Sequence, residues 1–428
     1  MKKSETIGLY GGDKTINIPT PHYRWPIISE ETSKAVNKQL YTSISIYDKS
    51  GIIKEFENKF KDYHNKKYGL LCNSGTSALY TMYKSIGLMP DDEIICPIYT
   101  FFATVTPVLF TGAKPVFCDC LDNGNIDPQK IEEKITNKTK AIVVTHMWGI
   151  PCQMSEIVFI AKKYNLKVLE DCSHAHGATY KGQLVGTFGD AAIWSLQGQK
   201  IVSGGEGGII LTDDIDIYVK SQLIGHYNER CTQEIPEDHP LFKYSITGFG
   251  QKFRIHPIAV AIANQQFNNL SEWLEQKRSY AQKFIAKFKD NPILEPLTFN
   301  DSNPSWYAFI LKVKKNIVNS INIDTLYDAF QEEGLYEIDR PFSTAPLNFF
   351  FLFKEPYHAF PEFYKVEDNF IKDEEYNVSF NFFSTIFKIP VWAEASDKDI
   401  VDLYIKGINK VCNFAFNNPE LFKNNVTV

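Results

Sequence analysis

The 428-residue sequence lacks any run of about 18 apolar residues, the length that a membrane-spanning helix requires. Its opening stretch, MKKSETIGLYGGDK, contains two lysines but no apolar segment behind them, unlike an export signal. The sequence also has no excess of basic charge, because its 45 lysines and arginines are outnumbered by 51 acidic residues. We therefore expect a cytoplasmic protein that binds neither membranes nor nucleic acids as its main task.

Closely spaced cysteine pairs are missing as well. The eight cysteines are scattered, only Cys118 and Cys120 are near each other, and no C-x-x-C pair offers the spacing of a zinc site. Most fall in apolar runs, which predicts reduced thiols in the core. Asp171, His174 and His176 stand close together, but no further histidine or carboxylate follows at helical spacing, so we predict no metal site.

Short apolar runs alternate with helical patterns from about residue 67 onward. This alternation predicts an α/β fold with a mostly parallel sheet flanked by helices. After about residue 275 the pattern changes to that of a smaller α+β domain. We predict three parts: an N-terminal segment (1–50) that contacts both lobes, a large domain (51–275) and a small domain (276–428). The predicted strands are 68–73, 92–97, 114–120, 140–146, 166–171, 190–196 and 207–214.

The stretch NSGTSAL, residues 73–79, lies where a predicted strand ends and a helix begins. Free N–H groups and the helix dipole favour an anion at such a turn. Gly75 allows close backbone approach, and the hydroxyls of Thr76 and Ser77 add donors, which suggests a phosphate site. An ordinary helix cap explains the same residues. The stretch matches neither the P-loop nor the dinucleotide-binding fingerprint.

A carboxylate and a lysine follow two later strands. Asp171 closes the apolar run VLED, and Lys200 lies in the glycine-rich stretch SLQGQKIVSGGEGG. Considered separately, Asp171 can be interpreted as a capping residue and Lys200 as a surface lysine in a turn. Together with the phosphate site they form the set that pyridoxal 5'-phosphate requires. The carboxylate pairs with the pyridine nitrogen, and the lysine forms the Schiff base.

The sequence resembles the DegT–StrS family of pyridoxal-phosphate-dependent sugar aminotransferases. The motifs that carry the resemblance are NSGTSAL, PIYTFFAT, EDCSHAHGATYKGQLVGTFGD, WSLQGQKIVSGGEGGIILTDD and GFGQKFRIHPIAVAIA, in this order. It implies the type I aminotransferase fold, in which a large domain has a seven-stranded, mostly parallel sheet and a smaller α+β domain follows. THMWGIPCQM suggests a subgroup that acts on cyclitols or nucleotide sugars.

The resemblance also implies roles for individual residues. Lys200 matches the Schiff-base lysine, Asp171 the partner of the pyridine nitrogen, and His174 a residue near the ring oxygen of the cofactor. Phe101 matches the aromatic residue that stacks on the ring. Family members complete the phosphate site with an asparagine of the neighbouring subunit in GYNYR; here GQKFR places Lys252 there, in an expected homodimer with shared sites. The other matches to phosphate-binding positions are Gly75, Thr76 and Ser195.

The implied reaction is a transamination in two halves. Glutamate or glutamine gives its amino group to the cofactor, with pyridoxamine phosphate as the intermediate, and a ketone then receives it. The ketone can be a nucleotide keto sugar, a cyclitol ketone or a small phosphorylated ketone, in amino-sugar, surface-polysaccharide or natural-product biosynthesis. The candidate pocket residues are Tyr23, Arg24, Trp25, Tyr47, Trp148 and Arg340.

Two alternatives use the same fold. The first is a pyridoxal-phosphate-dependent sugar dehydratase, but the dehydratases of the family have histidine where this sequence has Lys200. The second is a non-catalytic regulator that binds the cofactor. No appended DNA-binding helix or basic tail supports it.

Overall fold

A seven-stranded sheet, the large sheet, forms the centre of the fold. The computed structural model describes residues 6–371 and 376–423. One strand, Gly208–Thr212, runs antiparallel to both neighbours, and the other neighbouring pairs are parallel. The α/β class and the mostly parallel sheet are thereby confirmed. In spatial order the strands are Tyr68–Cys72, Gly208–Thr212, Ala191–Ser195, Lys167–Asp171, Thr139–Thr145, Glu93–Pro97 and Lys114–Cys118.

Helices cover both faces of the large sheet, which is why its strands are apolar almost throughout. On one face, Leu70, Ile193 and Ile210 belong to a buried cluster with residues of the helices Gly75–Ser85 and Ile215–Gly225. The alternate residues of the same strands pack on the opposite face against other helices. These helices are Gly51–Tyr63, Met154–Tyr164 and Pro257–Asn268.

A smaller antiparallel sheet, the small sheet, lies in the C-terminal part of the chain. Its strands are, in spatial order, Leu294–Pro296, Phe309–Val313 and Ile386–Ile389. A separate apolar cluster joins it to three helices, Leu270–Phe288, Ile323–Glu332 and Lys398–Asn417. The predicted division at residue 275 falls inside the first of these helices, and the three-part division of the chain stays a prediction.

The N-terminal segment contacts elements of both parts of the chain. Its helix Glu30–Thr42 packs on Pro257–Asn268 beside the large sheet. The Nδ1 atom of His22 lies 2.9 Å from the hydroxyl of Tyr404, which belongs to the helix Lys398–Asn417. Trp25 reaches the glycine-rich stretch, because its indole N–H donates a hydrogen bond to the carbonyl oxygen of Lys200 at 2.8 Å. The segment is therefore placed to influence the predicted site.

Three further findings bear on the sequence expectations. None of the described helices has the length and apolar character needed to cross a bilayer. All eight cysteines are buried as free thiols. The sequence of the stretch FFATVTPVLFTG predicts one helix, but the structure has only the short helices Phe102–Thr104 and Thr106–Leu109 there.

Candidate active site

A cavity of about 300 Å³ opens at the carboxyl ends of the large-sheet strands. Seven of the nine predicted site residues line it, and Ser77 and Lys252 do not. Lys252 is exposed, outside the cavity of its own chain. The seven are Gly75, Thr76, Phe101, Asp171, His174, Ser195 and Lys200.

One end of the cavity is an anion cradle at the start of the helix Gly75–Ser85. The backbone N–H of Ser77 donates to the Ser74 hydroxyl at 3.0 Å, and the Ser77 hydroxyl accepts from the Ser74 N–H at 3.1 Å. Ser77 thus completes the helix cap. A Cβ atom on Gly75 would lie 2.7 Å from the Cβ of Ser195, so only glycine permits this approach. The N–H groups of the first turn, with Thr76 and Ser195, suit a phosphate.

Asp171 is a buried carboxylate that its own chain holds in place. One oxygen accepts a hydrogen bond from the Thr104 hydroxyl at 2.7 Å, and the other accepts from the N–H of Ser173 at 3.0 Å. A carboxylate can accept further hydrogen bonds, and a buried one is stabilised by a cationic partner. Asp171 therefore fits the protonated ring nitrogen of pyridoxal phosphate.

Lys200 lies in the lysine loop, which we define as residues 196–207. Its Nζ is 4.9 Å from the centre of the Tyr307 ring. Burial lowers the pKa of Lys200 to about 8; the negative charge of Asp171 opposes this shift, and the positive charge of Lys388 adds to it. A larger share of this amine is uncharged near neutral pH than in an exposed lysine, which makes it a nucleophile and a base.

His174 stands between two aromatic rings at the wall of the cavity. It stacks on Tyr307, with ring centres 4.0 Å apart and planes at 4°, and its other neighbour is Trp148 at 5.7 Å. Burial, with the charges of Lys200 and Lys388, lowers its pKa well below the usual value, so the imidazole is neutral. Its Nδ1 is buried without a hydrogen-bond partner among the described residues, and a polar group of a bound cofactor would satisfy it.

Four residues of the cavity carry chemistry that the sequence did not reveal. Thr104 orients Asp171, Tyr307 covers Lys200 and His174, Gln197 lies in the lysine loop, and Lys388 supplies a second ammonium group. Thr104 sits inside a recognised motif, PIYTFFAT, and could have been found there. Tyr307 and Lys388 lie in a turn and a strand at least 100 residues after the lysine loop, and only the fold brings them together.

The candidate pocket residues divide into two groups. Trp148 lines the cavity, and Tyr23 and Trp25 line a neighbouring one of about 410 Å³. Arg24, Tyr47 and Arg340 line neither. Arg340 instead forms an ion pair with Asp324.

His146, Glu170 and Cys172 come together in the core with atoms that metals bind. The Glu170 carboxylate, however, accepts hydrogen bonds from the N–H groups of Gly186, Phe188 and Gly189, and it pairs with His146. The second ring nitrogen of His146 accepts from a backbone N–H at 3.0 Å. These contacts make the cluster part of the hydrogen-bonded core.

A lysine, a carboxylate and an anion cradle at the carboxyl ends of a mostly parallel sheet define a pyridoxal-phosphate enzyme of the aminotransferase type. The chain belongs to the DegT/DnrJ/EryC1/StrS aminotransferase family, whose model matches residues 26–404. It is an aminotransferase that uses pyridoxal phosphate, as the sequence predicted.

Two relatives of this chain are named for different compounds. The dTDP-3-amino-3,6-dideoxy-alpha-D-galactopyranose transaminase of Aneurinibacillus thermoaerophilus is 34% identical over 67% of this chain and 76% of its own. A protein of Micromonospora echinospora, assigned as an L-glutamine:3-amino-2,3-dideoxy-scyllo-inosose aminotransferase, is 27% identical over 78% of each chain. The solved aminotransferase of Psychrobacter cryohalolentis matches with a TM-score of 0.77 at 25% identity, covering 94% of this chain and 100% of its own.

Proposed function

We propose that the protein transfers an amino group from glutamate or glutamine to a carbohydrate-type ketone, in amino-sugar, surface-polysaccharide or natural-product biosynthesis. The convergence of Lys200, Asp171 and the anion cradle on one cavity carries this proposal. Relatives named for a nucleotide sugar and for a cyclitol support a ring-shaped ketone.

The roles that we propose follow from the contacts in the cavity. Bound pyridoxal phosphate supplies an electron sink that stabilises negative charge at the carbon bearing the amino group. The cradle at Gly75 and Ser195 holds its phosphate, and Asp171 holds its ring nitrogen. Phe101 and His174 border the ring. Lys200, whose pKa is about 8, takes a proton from the donor carbon at its Nζ and returns one later.

The neighbouring cavity, which we call the acceptor compartment, supports a polyhydroxylated ring as the ketone. It shares Gln199, Tyr307 and Lys388 with the cavity of Lys200, so a ligand there would adjoin the reacting lysine. Two carboxylates, Glu337 and Asp339, can accept hydrogen bonds from ring hydroxyls. Aromatic side chains supply the apolar wall that ligand pockets commonly have, namely Tyr23, Trp25, Tyr327 and Tyr336.

The decisive test is covalent attachment followed by amino transfer. Borohydride treatment of the protein loaded with pyridoxal phosphate should attach the cofactor to the peptide that contains Lys200, as read by mass spectrometry. Glutamate or glutamine should convert the cofactor spectrum, and a suitable ketone should reverse the change. Lys200→Ala should lose both results, whereas Lys34→Ala, at an exposed helix position, should keep them.

Two outcomes would contradict the proposal. A cofactor attached to another lysine would overturn the assignment of Lys200. A ketone that loses a hydroxyl group without gaining nitrogen would instead identify a dehydratase.

A further inference from the structure

Lys388 places a second ammonium group where the two cavities meet. The roles proposed above assign no function to it. It lies on the small-sheet strand Ile386–Ile389 and lines both the cavity of Lys200 and the acceptor compartment. Among the described residues that line these two spaces, Lys200 and Lys388 are the only lysines, and no arginine is present.

Asp339 holds Lys388 in position. The two residues exchange backbone hydrogen bonds of 2.8 and 2.9 Å, and the Lys388 Nζ lies 2.9 Å from a carboxylate oxygen of Asp339. An ammonium group has three N–H donors, so this contact leaves donors for a ligand. The Asp339 side chain is 50% exposed, and such a solvent-accessible pair contributes little by itself. The ammonium group is thus oriented by one carboxylate and keeps N–H donors for a second.

The positive charge of Lys388 reaches the reacting residues. It contributes, after burial, to the lowered pKa of both Lys200 and His174. The other charged groups at the cavity of Lys200 are the carboxylates of Asp171 and Glu206, which repel an anion. A donor that brings a carboxylate into this cavity therefore needs a cation, because a buried carboxylate without one is strongly disfavoured.

We propose that Lys388, oriented by Asp339, binds the α-carboxylate of the amino donor. The inference rests on the proposed function, since it presumes an α-amino acid as the donor. Glutamate and glutamine share this carboxylate, so one lysine serves both. The ketone that arrives in the second half of the reaction has no α-carboxylate beside its reacting carbon, so a change at Lys388 should affect the donor half more than the ketone half.

The experiment compares donors with and without the α-carboxylate in single-turnover conversion of the loaded enzyme. L-glutamate is set against 4-aminobutyrate, and L-glutamine against 4-aminobutanamide. Lys388→Met should reduce the preference for the carboxylate-bearing donor by about tenfold or more, as expected when a hydrogen bond to a charged group is lost. Lys388→Arg should restore most of the preference, because it keeps a cation at the position.

The matched control is Lys312→Met. Lys312 lies on the adjacent small-sheet strand and is also near acidic groups, but it lines neither cavity. Lys312→Met should leave the donor preference and the ketone half-reaction unchanged. Lys388→Met should slow the ketone half-reaction by a smaller factor than the glutamate half-reaction, because the charge of Lys388 also contributes to the lowered pKa of Lys200. Circular dichroism should show that every variant is folded.

A binding measurement keeps the test independent of turnover. Glutarate has two carboxylates and no amino group, so calorimetry with the loaded enzyme reports carboxylate binding alone. Its dissociation constant should rise about tenfold or more in Lys388→Met and stay unchanged in Lys312→Met.

Several outcomes overturn the inference. Equal losses with glutamate and 4-aminobutyrate, or unchanged glutarate binding, would remove the carboxylate role from Lys388. A loss confined to the ketone half-reaction would assign Lys388 to the acceptor. If no amino acid converts the wild-type enzyme, the proposed function fails, and the glutarate result still decides whether Lys388 binds a carboxylate.

Discussion

Three lysines of this protein differ in what surrounds their ammonium groups. Lys200 is placed against a ring and near Asp171, Lys388 is paired with a half-exposed carboxylate, and Lys277 is placed against a ring and hydrogen-bonded to a backbone carbonyl. Lys277 is 1% exposed, donates a hydrogen bond to the carbonyl oxygen of Val391, and lies 4.9 Å from the ring centre of Trp25. Burial lowers its pKa to about 7, with Asp397 opposing the shift.

Because of this lowered pKa, Lys277 should make the free energy of unfolding depend on pH. Between pH 10.5 and about 7 the unfolded chain binds a proton at Lys277 and the folded chain does not, so the folded state loses stability as the pH falls. In Lys277→Met this contribution is absent. The unfolding free energy of the wild type relative to the variant should therefore rise by up to about 4 kcal/mol from pH 7 to pH 10.

Urea unfolding at several pH values measures this difference. Lys283→Met is the matched control, because Lys283 lies on the same helix and is paired with Asp402 at the surface. A constant difference between the wild type and Lys277→Met over this pH range would mean that Lys277 has an ordinary pKa.

The role of a single residue was predictable where a reactive side chain directly follows a predicted strand. Asp171 ends a strand and Lys200 follows one, and the carboxyl ends of parallel strands meet at one edge of a sheet. Lys388 and Tyr307 gave no such signal, because each is one polar or aromatic residue in an otherwise ordinary strand or turn. Their role depends on how the small sheet packs against the large one.

At the scale of elements, the turn before the helix Gly75–Ser85 shows how packing specifies a residue. The turn can approach the strand Ala191–Ser195 because Gly75 has no Cβ atom, and the closeness brings the helix N-terminus and the Ser195 hydroxyl to one cavity. The backbone donors of the turn then point to a common anion site.

Gly75→Ala should weaken cofactor binding through its phosphate. The added Cβ would lie 2.7 Å from the Cβ of Ser195, and such overpacking costs about 1–3 kcal/mol. If the turn relaxes away from Ser195 when the site is empty, this cost corresponds to roughly fivefold to 150-fold in affinity. The affinity for pyridoxal phosphate should fall by this amount, whereas the affinity for pyridoxal, which has no phosphate, should change much less. Equal losses for the two ligands, measured by absorbance titration, would argue against a cradle specific for phosphate.

The strands and the mostly parallel direction of the large sheet were predictable, but the one antiparallel strand was not. Each predicted strand of the large sheet overlaps an observed one, because a strand buried on both faces is a short apolar run between turns. The antiparallel direction of Gly208–Thr212 has no signal in such a run. Residues 257–289 have one continuous helical pattern in the sequence. This pattern gives no sign of the boundary at Asn269, where the helix Pro257–Asn268 ends and the next begins.

At the scale of the whole molecule, the position of Lys252 matters most. It is exposed and lies outside the cavity of its own chain. The prediction that it completes the phosphate site therefore requires a second subunit, in a symmetric dimer where each cavity borrows one residue.

Mixing two inactive variants tests this arrangement. Lys200→Ala disables the cavity of its own chain, and Lys252→Met should disable only the cavity of its partner. In a mixed dimer one cavity then keeps its own Lys200 and receives an intact Lys252 from the partner subunit. Random reassortment should restore about a quarter of the wild-type activity, since half of the dimers are mixed and each has one intact cavity.

The matched control mixes Lys200→Ala with Lys200→Met, which should restore nothing. Sedimentation measures whether dimers form. Activity no greater than the mean of the separate variants would show that each cavity is complete within one chain.

The buried thiols have a practical consequence for labelling chemistry. Burial raises the pKa of every one of the eight cysteine thiols, so little thiolate is available to react with a maleimide dye. A cysteine introduced at the surface would react far faster than the native ones. The substitution Lys252→Cys would place one fluorophore at the predicted subunit contact without first removing any native cysteine.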